Sequence, residues 1–333
     1  MPRPVTLRRS VPDLAVSIFT WAPDGIPRVP TLFRRLSDLN IENSTEFQRQ
    51  ERLEDAIRGH LAGKAFSAFR ARSIEAVLIK GPAIGRFYPA NKVRHYTDID
   101  LCVAPDDFNS ALDLVRSDLL KDISIDLHCG LRDRDTLPWE ELFLRTYETD
   151  LPGGSTARVL CDEDNLRITC AHWLFDGGVD RSRLWDIFYL VSNRRSDFDW
   201  ERCLKAGGEK RENWVKTAIA TARDKLGLDT SDLPEEIDNF VLPSWYIQTL
   251  EKEWSLGGYV RVPLYLCLTD PKLLRMQLKR RFPPNPIAAT TDVEGVFDNS
   301  PRMSYQAMSI RKKLGPSFRG VFTSLALHFK SRS

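Results

Sequence analysis

Between Ala76 and His128 the chain carries three short strand signals separated by two helix signals, and this alternation restricts the fold more than any other feature. Ala76-Val-Leu-Ile-Lys80 is an apolar run stopped by Gly81-Pro82, the pattern of a buried strand entering a turn. A short helix through Ile84 to Tyr88 is expected to end at Pro89. Thr97-Asp-Ile-Asp-Leu-Cys-Val103 reads as a second strand. Pro105-Asp-Asp107 then opens a helix to about Arg116, with proline at the first helical position and acids in the first turn. Ser124-Ile-Asp-Leu-His128 alternates strictly and forms the third strand. Such an order over about fifty residues predicts an α+β chain built on a small mixed β-sheet with helices on one side.

The flanks read as helical. Residues 1–43 are rich in proline and arginine, with a short helix expected at Pro30 to Leu39. Thr45 and Gln48 form a capping-box pattern opening a long amphipathic helix to about Arg72, with Leu53, Ile57, Leu61, Phe66 and Phe69 as its apolar stripe. After Pro138 helices are expected at 138–148, 162–175, 180–193, 198–206 and 210–226, and Asp176-Gly177-Gly178 is a stop between two of them. The pattern weakens beyond Leu233, and the prolines at 283, 284, 286 and 301 predict a flexible loop over 283–303. The domain reading is therefore an N-terminal helical segment 1–73, a sheet core 74–150, a helical domain 151–235 and a partly helical C-terminal region 236–333.

Composition excludes several classes. Forty-eight Lys and Arg against 46 Asp and Glu leave a net charge of +2, which gives no nucleic-acid or anionic-membrane signature. The six cysteines are dispersed without a Cys-x-x-Cys pair, so zinc-ribbon, redox and disulfide scaffolds are not expected. Uncharged apolar stretches such as Val262 to Thr269 fall short of the roughly 20 residues that a spanning helix needs. Met1 to Trp21 is interrupted by Pro12 and Asp13 and does not read as a leader peptide. The expectation is a soluble protein of the reducing cytoplasm with no membrane partner.

Residues two apart on a strand share a face, so Asp98 and Asp100 project together while Ile99 and Leu101 point to the core. On the third strand Asp126 shares a face with Ser124 and His128. If the two strands are neighbours, three carboxylates converge on one patch. Such a group repels itself unless a cation compensates, and Mg²⁺ bound by carboxylates and substrate phosphates is the usual solution. Two ions roughly 4 Å apart suit in-line attack on a phosphoryl group.

These residues resemble a known family. Leu78-Ile-Lys-Gly-Pro-Ala-Ile-Gly-Arg-Phe-Tyr-Pro89, Arg94 ahead of Thr97-Asp-Ile-Asp-Leu101, and Ile125-Asp-Leu-His128 together are similar to the uncharacterised bacterial nucleotidyltransferases of the DNA polymerase β superfamily. Leu184-Trp-Asp-Ile-Phe188 resembles that family's downstream helix, and His172 falls where a histidine is frequent. The resemblance covers about residues 30–230. It implies a nucleotidyltransferase core with N-terminal helices and a C-terminal helical domain, and Mg²⁺-dependent transfer of a nucleoside monophosphate from an NTP, ATP included, to an unidentified small molecule, peptide, protein or RNA acceptor. Asp98, Asp100 and Asp126 would hold two Mg²⁺ ions, with Mn²⁺ as an alternative, and Asp126 would act as metal ligand or general base. Lys80, Gly81 and Arg94 would meet the phosphates. The stretch between Arg116 and Ile125, about eight residues, is shorter than the family's, so either the sheet has lost a strand or the hairpin is compressed. An inactive nucleotide-binding module on the same fold and a metal-dependent phosphoester hydrolase are the alternatives.

Other residues are read more plainly. His128 is expected to support the acids through hydrogen bonds rather than to bind a metal, and His95 to be a loop residue. His172 reads as a buried, hydrogen-bonded histidine. Asp186, set among Leu184, Trp185, Ile187 and Phe188, needs a charge partner such as Arg183 or a helix end. Trp139 and Trp173 read as core anchors, and Lys272 to Arg281 as a solvated helix face.

Overall fold

The strands are β1 (Ala76–Leu78), β2 (Ile99–Val103), β3 (Ile125–Cys129), β4 (Tyr147–Asp150) and β5 (Thr156–Val159), and they form one sheet in the order β3-β2-β1-β5-β4. β1 runs antiparallel to β2 and parallel to β5, β2 runs parallel to β3, and β4 and β5 form an antiparallel hairpin. The computed structural model describes residues 45–131, 135–151, 154–256, 264–267 and 270–313. The expected irregular segment 1–43, with its helix at Pro30 to Leu39, lies outside them.

All three expected strands are present, and two more complete the sheet. The helix expected over 138–148 covers only Trp139–Leu144 (α4, after α1 Thr45–Arg70, α2 Pro82–Gly85 and α3 Phe108–Arg116). Pro138 and the acids Glu140 and Glu141 do start a helix there. From Tyr147 the residues alternate instead, and Leu151 closes the β4–β5 hairpin by donating its N–H to Ser155 O at 2.6 Å. A boundary at residue 150 would therefore cut this hairpin; the sheet extends to Val159. No additional strand intervenes between α3 and β3.

Alternation gives the sheet two apolar faces. Ile99, Leu101 and Val103 join Leu78, Val159 and the partly buried Ile125 and Leu127 under α1 and α3, which contribute Phe66, Phe69, Ala111 and Leu114. The opposite face is covered as well, in place of the expected single helical layer. There Val77, Ile79 and Cys102 meet Leu142 of α4 and Ile168 of α5 (Asp162–Phe175). On the same face Asp100 is buried, and Asp126 and His128 on the edge strand β3 are partly exposed.

The helical part holds α6 (Leu184–Ser192), α7 (Trp200–Lys205) and α8 (Gly208–Leu226), and α8 packs against α5, α6 and α7. Its core includes Trp173 and the fully buried Trp214, whose ring meets Phe175 edge-on at 5.4 Å and whose Nε1 donates to Gly295 O at 2.7 Å. The first turn of α5 carries Asp162, Glu163 and Asp164, placed well for the helix dipole. Arg86 donates to Asp162 at 2.7 Å, and Arg167 and Arg202 donate to Asp164 at 2.9 and 3.0 Å, so each buried charge is matched.

Further helices follow, α9 (Glu235–Asp238), α10 (Ser244–Ser255), α11 (Pro271–Arg281) and α12 (Pro286–Asp292), and residues 303–313 are also helical. α12 corrects the expected loop over 283–303. Asn285 accepts from the N–H groups of Ile287 and Ala288 at 2.8 and 3.1 Å, Pro286 fits the first turn, and residues 287–291 are buried against the helical core. No helix among the described residues is long and apolar enough to cross a membrane.

Candidate active site

Parallel pairing of β2 with β3 sets Asp100 directly beside Asp126, and Cys102 beside His128. Asp100, Asp126 and His128 share the side of the sheet opposite Ile99, Leu101, Ile125 and Leu127. Their ligand atoms all lie within 4.8 Å of one another, a group that could hold a metal ion. His128 Nε2 is 3.2 Å from Asp100 Oδ1 and 3.6 Å from Asp126 Oδ2. β3 is an edge strand, so Asp126 and His128 are partly open to solvent while Asp100 is buried.

Lys80 leaves the end of β1 and donates its ammonium to Asp100 Oδ1 at 2.7 Å. Burial pushes the Asp100 carboxyl up, but the His128 hydrogen bond and the charge and hydrogen bond of Lys80 outweigh it and hold the group well below the ordinary carboxylate range. A depressed folded value stabilises the protein above the unfolded value, and the gain is lost as pH falls. The stability gap between wild type and Asp100→Asn should therefore narrow as urea unfolding is repeated from about pH 6 down to about pH 3.

Gly81 makes the turn after Lys80 with φ 55° and ψ −121°. A Cβ there would stand 3.2 Å from the Tyr96 ring, in a backbone region that side chains avoid. Gly81→Ala should cost about 1–3 kcal/mol, read as a lower urea midpoint.

The structure separates the other expected site residues. Asp98 precedes β2 with its carboxylate outside the three-residue group, and Thr97 Oγ1 approaches it at 3.4 Å. Arg94, expected at the phosphates, is buried and spends its fork inside the protein: Nε and Nη2 donate to Asp186 Oδ1 and Oδ2 at 2.7 and 2.8 Å. Tyr88 OH donates to the same carboxylate at 2.7 Å, and Arg183 stands 4.0 Å from it. Asp186 thus has the charge partner it needs, supplied by the segment that leads into β2. His95 is exposed, with its carbonyl accepting from Arg183. His172 is half-buried, 3.5 Å from Asp176, rather than enclosed.

With the site assembled, the family comparison is decisive. The profile of a family described as uncharacterised nucleotidyltransferase matches residues 29–211. The chain belongs to this nucleotidyltransferase family. The match includes all five strands and α1 to α7, so the sheet, the paired acids and the Arg94–Asp186 pair of this nucleotidyltransferase lie inside it. No curated protein and no solved structure matches the chain.

The residues at the nucleotidyltransferase site fit a divalent cation. Two carboxylates and an imidazole converge, and the negative charge is offset by one lysine already in contact with Asp100. The Lys80–Asp100 contact was not foreseen from sequence; the available signal was an apolar strand running out into a lysine beside an acid on the adjacent strand.

Proposed function

We propose that this nucleotidyltransferase moves a nucleoside monophosphate from an NTP to a nucleophilic acceptor and releases pyrophosphate. The observation that carries the reading is the in-register pair Asp100 and Asp126, with Asp126 partly exposed on the edge strand. A divalent cation there, Mg²⁺ or Mn²⁺, supplies Lewis-acid stabilisation of phosphate charge.

The chain's own groups do the rest. Asp100 and Asp126 would hold the cation, and Asp98, just ahead of β2, is the candidate ligand for a second one. Lys80, 2.7 Å from Asp100, would offer its ammonium to the triphosphate as a point charge once a cation were held there. The acceptor oxygen forms a bond to the α-phosphorus, the bond from that phosphorus to the bridging oxygen breaks, and pyrophosphate leaves with the electron pair. The acceptor's proton passes to Asp126 or to solvent.

The Lys80–Asp100 ion pair favours one second reading, a module that binds nucleotide without turnover, because an ammonium already neutralises the buried acid. Incubating the full chain with each α-labelled NTP and Mg²⁺ or Mn²⁺ separates the readings. Pyrophosphate release with label on an acceptor supports transfer. Binding without release supports the module, and release of inorganic phosphate or nucleoside alone supports hydrolysis.

A further inference from the structure

The site holds a nitrogen donor that three-carboxylate reasoning does not use. The His128 ring shares the Asp100–Asp126 face, and its Nε2 stands between the two carboxylates, 3.2 Å from one oxygen and 3.6 Å from the other. Those separations can be compared with a coordination shell. Donors bonded to one ion at about 2.1 Å lie about 3.0 Å apart at a right angle and about 3.4 Å apart at a tetrahedral angle. His128 Nε2 therefore already stands from each carboxylate at about the spacing of neighbouring ligands, and the three donors lie within 4.8 Å of one another. A second observation marks the place as one for a cation: the Lys80 ammonium sits 2.7 Å from the same Asp100 oxygen that faces His128. Backbone pairing fixes the arrangement, because Asp100 lies opposite Asp126 and His128 lies two residues further along the same strand.

We infer that His128 is a metal ligand of this nucleotidyltransferase, and that the ion at Asp100, Asp126 and His128 is a first-row transition metal rather than Mg²⁺. The inference rests on the cation site of the proposed function and changes its donor set. Magnesium prefers an all-oxygen shell and keeps its waters, whereas an imidazole nitrogen among carboxylates raises affinity for transition ions. Nε2, now in contact with Asp100, would be the donor to the ion. His128 would then act as a ligand in addition to the hydrogen-bond contact with Asp100 expected of it.

Pulsed EPR of Mn²⁺ added alone to the full chain tests this without any turnover. Bound Mn²⁺ should show electron-spin-echo modulation from ¹⁴N, changed to the ¹⁵N pattern when histidine is ¹⁵N-labelled. The modulation should disappear in His128→Gln while Mn²⁺ still binds, about 10-fold to 100-fold more weakly. It should persist in a chain that keeps His128 and replaces His60, His95, His172 and His328, which covers the case in which His128→Gln does not fold. Bound Mn²⁺ should also survive about a 10-fold excess of Mg²⁺. Bound Mn²⁺ without nitrogen modulation, modulation that survives His128→Gln, displacement by equimolar Mg²⁺, or no Mn²⁺ binding would each overturn the inference. Nitrogen coupling without nucleotidyl transfer supports it and removes the proposed function; Mg²⁺-driven transfer without nitrogen coupling overturns it and leaves that function in place.

Discussion

Asp186→Ala should destabilise the protein by about 3–5 kcal/mol, the loss expected when one member of a buried ion pair is removed and the other is left uncompensated. Arg94 and Asp186 are both almost fully buried and joined by two hydrogen bonds of 2.7 and 2.8 Å, and Tyr88 spends its hydroxyl on the same carboxylate. Arg183, at 4.0 Å, is too distant to replace Arg94 as a direct partner. At roughly 2–4 °C per kcal/mol for a body of this size, the thermal midpoint should fall by about 6–20 °C. Arg94→Met combined with Asp186→Leu should recover much of the loss, because an apolar pair leaves no unpaired charge. A fall of under about 1 kcal/mol for the single variant would show that the pair is solvated in solution.

Asp100→Asn should reduce nucleotidyl transfer by about 10²-fold to 10⁴-fold. A bound cation is worth several kcal/mol of phosphate-charge stabilisation, and each 1.36 kcal/mol is tenfold in rate. Asparagine keeps the size of the side chain but loses the charge that both Lys80 and a cation answer. The loss should appear in kcat/KM with the fold intact at neutral pH, which circular dichroism of the same sample checks.

Much of the site was legible because strand periodicity is local. The segments 97–103 and 124–128 carry enough alternation to place Asp100, Asp126 and His128 on one face and Ile125 and Leu127 on the other, and pairing of β2 with β3 brings those faces together. The 162–175 helix is equally local, with acids in its first turn and Asp176-Gly177-Gly178 behind it. β4 and β5 were hidden because a real helix start at Pro138 runs directly into them, although alternation on both sides of Pro152-Gly153-Gly154 marks a hairpin. The role of Arg94 was illegible for a different reason. Its partner lies 92 residues along the chain, so sequence shows a cation near an acidic strand and not that the cation is already taken. α12 was read as a loop because its prolines were counted as breakers, while Asn285-Pro286 is a helix start whose apolar residues find a core only in three dimensions.

The central claim is that the Asp100–Asp126 face is a cation site for nucleotidyl transfer. Pyrophosphate release from α-labelled NTP, followed in wild type and Asp100→Asn while the divalent cation is titrated from zero, tests it most directly. Release should need the cation, saturate with it, stop on chelation and be lost in the variant. Release that proceeds with the cation chelated, or equally in wild type and Asp100→Asn, would contradict it.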